Sequence, residues 1–267
     1  MHSLPRQHGI PHVPMCAHPV IHVTTFGHAR CWYDRTEIAK YHWRSQRARD
    51  VFLMLVSHDG HRMSRAALCA ALWPECDALA AANNLRVSLY RLRQAFVGIA
   101  ADADVIGADK QAVWLQLGPQ AVIDVDEFRL AIASARRMYD AKQALPHLRR
   151  AADCYQGHYL THDTDQDWTC SYREQFACEY TEAGIRLGRI LLSMQLYTEL
   201  IERMWRMIHL EVAVESAHQL LMQAYHATGN SEMVRRVYHS CQHLVNQQLG
   251  SGVTAETIRL YRTVLSS

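Results

Sequence analysis

The stretch NNLRVSLYRLRQAF, residues 83–96, decides how the chain is read. At about 100° per residue, Leu85, Leu89, Leu92 and Phe96 fall within about 40° of one line along a helix. Asn83, Val87, Tyr90 and Gln94 lie roughly opposite that line. Asn84, Ser88 and Arg91 flank one side, Arg86 and Arg93 the other. The apolar line needs a surface to pack on. The other face carries groups that read nucleic acid: asparagine pairs with adenine, arginine with guanine or phosphate, and serine with either. A merely solvated helix face has a similar composition, so the flanking sequence must decide.

On the N-terminal side, VIHVTTF, HARCWY and IAKYHW, from Val20 to Trp43, are short β-like runs separated by turn residues, which predicts a small antiparallel sheet. Three helices follow. Ser45 caps the first, with Ala48, Val51, Phe52 and Leu55 on one face. Ser64 caps the second, which carries Leu68, Leu72 and Trp73 and is closed by Pro74. Asp77 caps the third, which contains the opening stretch and runs to about Val97. Short links, SHDGHRMS and WPECD, keep the three helices close. Val105-Ile106, a turn at 108–111 and AVWLQL at 112–117 read as a β-hairpin. Sheet, three helices and hairpin in this order predict a winged helix-turn-helix with its third helix in a major groove.

After Asp124 the pattern is helical, with expected spans 126–139, 142–156, 167–193, 196–209, 213–228, 231–248 and 254–265. Helix pairs of about 34 residues suggest a tetratricopeptide-like stack of three hairpins and a capping helix. The fold expected is thus mainly α: residues 1–19 a disordered leader rich in proline and histidine, 20–120 the DNA-binding domain, 121–267 the repeat domain.

Charge follows the same division. Lysines and arginines outnumber acids by 13 to 9 over residues 1–120, and acids exceed them by 17 to 15 over 121–267. Within 35–96 the balance is 10 to 5 in favour of cations. A basic half joined to a slightly acidic one fits a nucleic-acid module beside an interaction module. No apolar run approaches the roughly 18 residues that cross a bilayer, which predicts a cytoplasmic protein with no membrane partner. The eight cysteines show no CxxC spacing and read as reduced thiols.

Several of these segments resemble bacterial transcriptional activators of the antibiotic-regulatory-protein type, relatives of the OmpR-like output domain. The matching residues are LWPE (72–75) with AANNLRVSLYRLRQAF (81–96), DVDEF (124–128), YQGHYL (155–160), DWTCSYRE (167–174), ESAHQLLMQAYHATG (215–229) and YHSCQHLVNQQLGSGVTAETIRLY (238–261). The resemblance covers about residues 20–265. It implies a winged helix followed by a bacterial transcriptional activation domain, binding to direct repeats as a homodimer, and recruitment of RNA polymerase through its sigma and alpha subunits. It places recognition at Asn83, Asn84, Arg86, Ser88 and Arg91. The wing, between Asp102 and Gln111, would lie at the adjacent minor groove with Lys110 its only cation. Arg44, Arg47 and Arg49 are candidate phosphate contacts. One departure is His209-Leu210-Glu211, where many relatives carry Asp-Pro, which predicts a differently set turn between repeats.

Two other function classes compete with this reading. No GxSxG, HExxH, paired metal spacing or P-loop occurs, so neither an enzyme nor a cofactor or metal requirement is expected. His158, His162, Asp163, Asp165 and Asp167 form a polar loop able in principle to hold a cation, but read better as a connection ending in a helix cap. An adaptor or effector sensor would use aromatics such as Tyr180, Tyr197, Trp205, Tyr225 and Tyr238 on a concave repeat face, which core packing explains equally well. Such an adaptor has no need of the Asn83–Arg93 face.

Overall fold

The computed structural model describes residues 21–38, 43, 45–97, 105–118, 120–161, 167–211 and 214–266. The expected leader lies outside them, as do Arg44 and residues 102–104 of the wing.

Strands β1 (Ile21–Thr24), β2 (Arg30–Tyr33) and β3 (Thr36–Glu37) form an antiparallel meander, with Val23 opposite Cys31. Ile21 and Val23 point inward and His22 outward, the period-2 alternation of a half-covered sheet. Helix α1 (Gln46–Ser57) begins at Ser45, whose hydroxyl accepts from the Ala48 amide. From Ala48 to Ser57 every residue of α1 is buried, because this helix is enclosed by neighbours on all sides. A 3-10 turn at Asp59–His61, with Gly60 at φ 68°, leads into β4 (Arg62–Ser64).

Ser64 caps α2 (Arg65–Leu72), and the Asp77 carboxylate accepts from the Ala80 amide at 2.8 Å at the start of α3 (Ala78–Val97). Leu68 and Leu72 from α2 are buried, as are Val51, Phe52 and Leu55 from α1. Leu85, Leu89, Leu92 and Phe96 join them from α3, as the period predicted. Trp43, Phe52 and Phe96 pack against one another at the centre of this core, Trp43 meeting Phe96 edge to face and the other two pairs tilted. Strands β5 (Ile106–Ala108) and β6 (Ala112–Leu115) make the expected hairpin. The segment expected to be a mere link supplies β4, so the wing sheet has three strands in the order β4-β6-β5.

A strand that periodicity did not reveal, β7 (Val122–Ile123), runs parallel to β1 and joins the first sheet. The helical half follows as α4 (Asp124–Arg137), α5 (Ala141–Cys154), α6 (Trp168–Ser193), α7 (Tyr197–Leu210), α8 (Glu215–Ala227), α9 (Ser231–Leu249) and α10 (Ala255–Ser266). Their ends lie within two residues of the seven predicted spans, and α10 packs on α8 and α9 as a cap. The cap is held by Tyr261 stacked on Tyr238, ring centroids 3.8 Å apart. Gly188 on α6 lets α7 and α8 approach: a Cβ there would lie 2.7 Å from Leu220 and 3.2 Å from Met204.

One continuous hydrophobic core runs through both halves. At the junction the Asp124 carboxylate accepts from the amides of Thr25 (2.6 Å), Phe26 (2.9 Å) and Val125 (2.8 Å) and from the Thr25 hydroxyl (2.7 Å). Burial nonetheless lifts its pKa to about 6. Phe26 packs among Phe128, Tyr155, Tyr159 and Phe176. The last residue of α1 is tied in as well: Ser57 hydrogen-bonds to the Tyr159 hydroxyl, and its carbonyl accepts from Arg129 at 2.7 Å. His61 meets Asp126 at 2.8 Å.

Candidate nucleic-acid interface

Helix α3 presents two unlike faces. Ala81, Leu85, Ser88, Leu89, Leu92, Ala95 and Phe96 are buried, while Asn83, Asn84, Arg86, Val87, Tyr90 and Arg91 are exposed. Among the described residues, Arg86 and Arg91 make no ion pair or hydrogen bond, so both guanidinium forks are open to a ligand. The Asn84 side-chain amide donates to the Cys76 thiol at 3.9 Å. Arg93 is different: its Nη2 donates to the Ile106 carbonyl at 3.2 Å and fastens α3 to the wing.

The exposed face is also unusually apolar. Seven large hydrophobic residues are exposed among those described, and four of them, Leu79, Val87, Tyr90 and Val97, lie on α3. Single exposed apolar residues need no explanation, but concentration on one helix marks a contact surface. Val87 and Tyr90 sit between Asn83, Arg86 and Arg91, where apolar groups can meet thymine methyls.

Two expected site residues are corrected. Ser88 is only 4% exposed and cannot reach a groove. It stands seven residues from both Ala81 and Ala95, on a line of small side chains along which α3 packs closely. Arg49 is 6% exposed, and its Nη2 donates to the Ala29 carbonyl at 3.2 Å, joining α1 to the first sheet instead of facing DNA. Arg47 is half-buried, 3.6 Å from Asp50. Arg44 lies outside the described residues. Lys110 is exposed at the tip of the wing, as expected.

The wing holds a cation that sequence reasoning missed. Arg62, from β4, lies with its guanidinium carbon 4.4 Å over the Trp114 ring, and its Nη2 is 3.1 Å from Asp109 Oδ2. Asp109 is itself fixed, since Oδ1 accepts from the amides of Gln111 (2.7 Å) and Ala112 (2.6 Å). Those amides, with Arg62 adding less, hold its carboxyl below the ordinary aspartate range. No sequence signal pairs Arg62 with residues about 50 positions downstream.

The polar loop of residues 158–167 is described only in part. His162, Asp163 and Asp165 lie outside the described residues, His158 pairs with Glu211 at 3.3 Å, and the Asp167 carbonyl accepts from Cys170 at the start of α6. Among the described residues no group of three metal-ligating side chains comes together, and no helix is long and apolar enough to cross a membrane. Of the repeat-face aromatics, Tyr180 and Tyr238 are buried, and Trp205 donates to the Tyr225 hydroxyl at 3.0 Å.

Comparison with known proteins bears on the second half first. The profile of the family described as bacterial transcriptional activator domain matches residues 123–265. Among solved structures, the fold is similar to Mycobacterium tuberculosis EmbR in complex with a low-affinity phosphopeptide, with a TM-score of 0.71 and 18% sequence identity. The similarity covers 93% of this chain and 65% of that one, so this chain spans about two thirds of the other's length. A search of curated proteins found no match.

Proposed function

The chain belongs to the bacterial transcriptional activator domain family, and on that premise we propose that it activates transcription by reading double-stranded DNA with α3. In this reading residues 20–120 are the DNA-binding domain and 121–267 the activation domain. The protein works in the cytoplasm, binds promoter direct repeats as a homodimer, and draws RNA polymerase to them through the sigma and alpha subunits. The observation that carries the reading is the exposed face of α3: two amides, two arginines without a partner among the described residues, and exposed Val87 and Tyr90.

Asn83 and Asn84 have the geometry for adenine, Arg86 and Arg91 for guanine or phosphate. Lys110 adds a phosphate contact at the wing, and Arg47 a further one at α1. Contacts to about four to six phosphates per protomer give a log–log salt slope near −0.9 for each. Catalysis has no part in this scheme. An adaptor acting through the helical repeats alone would leave the exposed α3 face without a task.

The test is selection from genomic fragments with the purified protein at two salt concentrations, beside an Asn84→Ala/Arg91→Ala double variant. A repeated motif enriched by the wild type and lost in the variant is the expected result. Arg91→Ala alone should weaken the preferred site by about 1–3 kcal/mol and relax one position. Enrichment of no motif by the wild type would overturn the reading in favour of the adaptor.

A further inference from the structure

The wing sheet carries a row of three residues that the reading above leaves unused. The register sets Gly107 on β5 opposite Trp114 on β6, and Trp114 opposite Arg62 on β4. In a pleated sheet such a row shares one face, here the face opposite buried Val113 and Ile106. Gly107 has no Cβ, and that absence lets the indole lie across β5: a Cβ would stand 2.2 Å from Trp114 Nε1. The indole in turn supports the Arg62 guanidinium at 4.4 Å. Asp109 holds one edge of that guanidinium from the hairpin tip, and the Asp109 carboxylate is locked by two backbone amides.

We infer that Arg62, seated on Trp114 and Gly107 and braced by Asp109, is a preset clamp for a backbone phosphate of duplex DNA beside the groove that α3 enters. The inference rests on the DNA-binding reading given above.

Three features separate this arginine from an ordinary surface ion pair. Its side chain is 53% exposed although it is stacked, so one flank of the guanidinium faces solvent. Only Nη2 is engaged, which leaves Nε and Nη1 without a partner among the described residues. Arg30 supplies the contrast on the first sheet: it also lies over a tryptophan, Trp32, but both Nε and Nη2 are taken by Glu37. Arg30 is therefore a finished ion pair, whereas Arg62 is half-used. Location supplies the third feature. Lys110 projects from the same hairpin, and the Arg65 amide donates to the Gln111 carbonyl, which sets the first turn of α2 against the wing tip. Among the described residues of the hairpin tip, Arg62 and Lys110 together outweigh Asp109. A guanidinium whose orientation is fixed before binding loses less conformational entropy when it takes a phosphate.

The experiment uses the full chain and a duplex carrying the motif that the wild type selects from a random 30-base-pair pool. Binding is measured across a salt series for wild type, Arg62→Ala and Arg62→Lys, with unfolding midpoints recorded for each. Arg62→Ala should weaken binding to specific and random duplexes alike by roughly tenfold. It should also make the salt slope shallower by about 0.9. Arg62→Lys, which keeps the charge but not the planar stack, should retain the slope and lose part of the affinity. Single neutral methylphosphonates placed along the duplex should identify one linkage whose neutralisation weakens the wild type and leaves Arg62→Ala unaffected. Unchanged slope and unchanged methylphosphonate sensitivity in a folded Arg62→Ala protein overturn the clamp while the α3 reading stands. A wild type that selects no motif and binds duplex without salt dependence overturns both.

Discussion

Replacing Gly107 with alanine is a one-carbon change that sets two tendencies against each other. Glycine inside a strand is worse than alanine by about 0.5–1 kcal/mol because it loses more backbone freedom on folding. On that ground alone Gly107→Ala would stabilise the protein. The new Cβ, however, would stand 2.2, 2.3 and 2.7 Å from three atoms of the Trp114 ring. Carbon contacts settle near 3.5–4.0 Å, so the ring has to move by about 1 Å or more, and an indole cannot bend out of the way. Overpacking of this kind costs about 1–3 kcal/mol, and tilting the ring also loosens Arg62, worth about 0.5–1 kcal/mol at an exposed site. The net expectation is a loss of about 1–3 kcal/mol, read as a lower urea midpoint at unchanged m-value. A double-mutant cycle isolates the cause. With Trp114→Leu already in place the ring is gone, and Gly107→Ala should then be neutral or slightly stabilising. If alanine costs as much in that background as in the wild type, the indole is not the obstacle and the reasoning fails.

Two further predictions concern the junction and the repeats. The hydrogen bond that His61 Nε2 donates to the Asp126 carboxylate is the largest influence raising the pKa of His61, ahead of the opposing effect of burial. The pair's stabilisation should therefore be complete below the unfolded histidine value of about 6.5 and fade as pH rises through the raised folded value. Urea midpoints from pH 6 to 8.5 should show this decline in the wild type and not in Asp126→Asn; an identical decline in both removes the assignment. Gly188→Val should cost about 2 kcal/mol by pressing on Leu220 and Met204 from two helices at once, and a thermal midpoint equal to wild type would show that α7 and α8 can part.

What was legible in the sequence follows from physical range. The apolar line on α3 repeats within one helix, so Leu85, Leu89, Leu92 and Phe96 announced themselves, as did the caps at Ser45, Ser64 and Asp77. Ser88 was misplaced because a small polar side chain gives no hint of burial; the alanines seven residues to either side were the available signal. Arg49 was misread because the carbonyl that satisfies it belongs to Ala29, 20 residues earlier. Strand β7 is two residues long, too short for any period to register. The Arg62 clamp depends on partners 47 and 52 residues away, and only the closed sheet brings them together.

The shared core has a practical consequence for anyone dissecting the chain. A fragment starting near residue 121 would retain the family's signature region yet be born incomplete. Asp124 would lose the Thr25 and Phe26 donors that satisfy its buried carboxylate. Phe128, Tyr155, Tyr159 and Phe176 would face water where Phe26 now covers them. Such a piece would be sticky for reasons unrelated to its biological work, and any protein it captured would be answering to a wound in the fold. A safer cut retains residues 21–61 with the helices, since Thr25, Phe26, Ser57 and His61 all make contacts that complete the helical half.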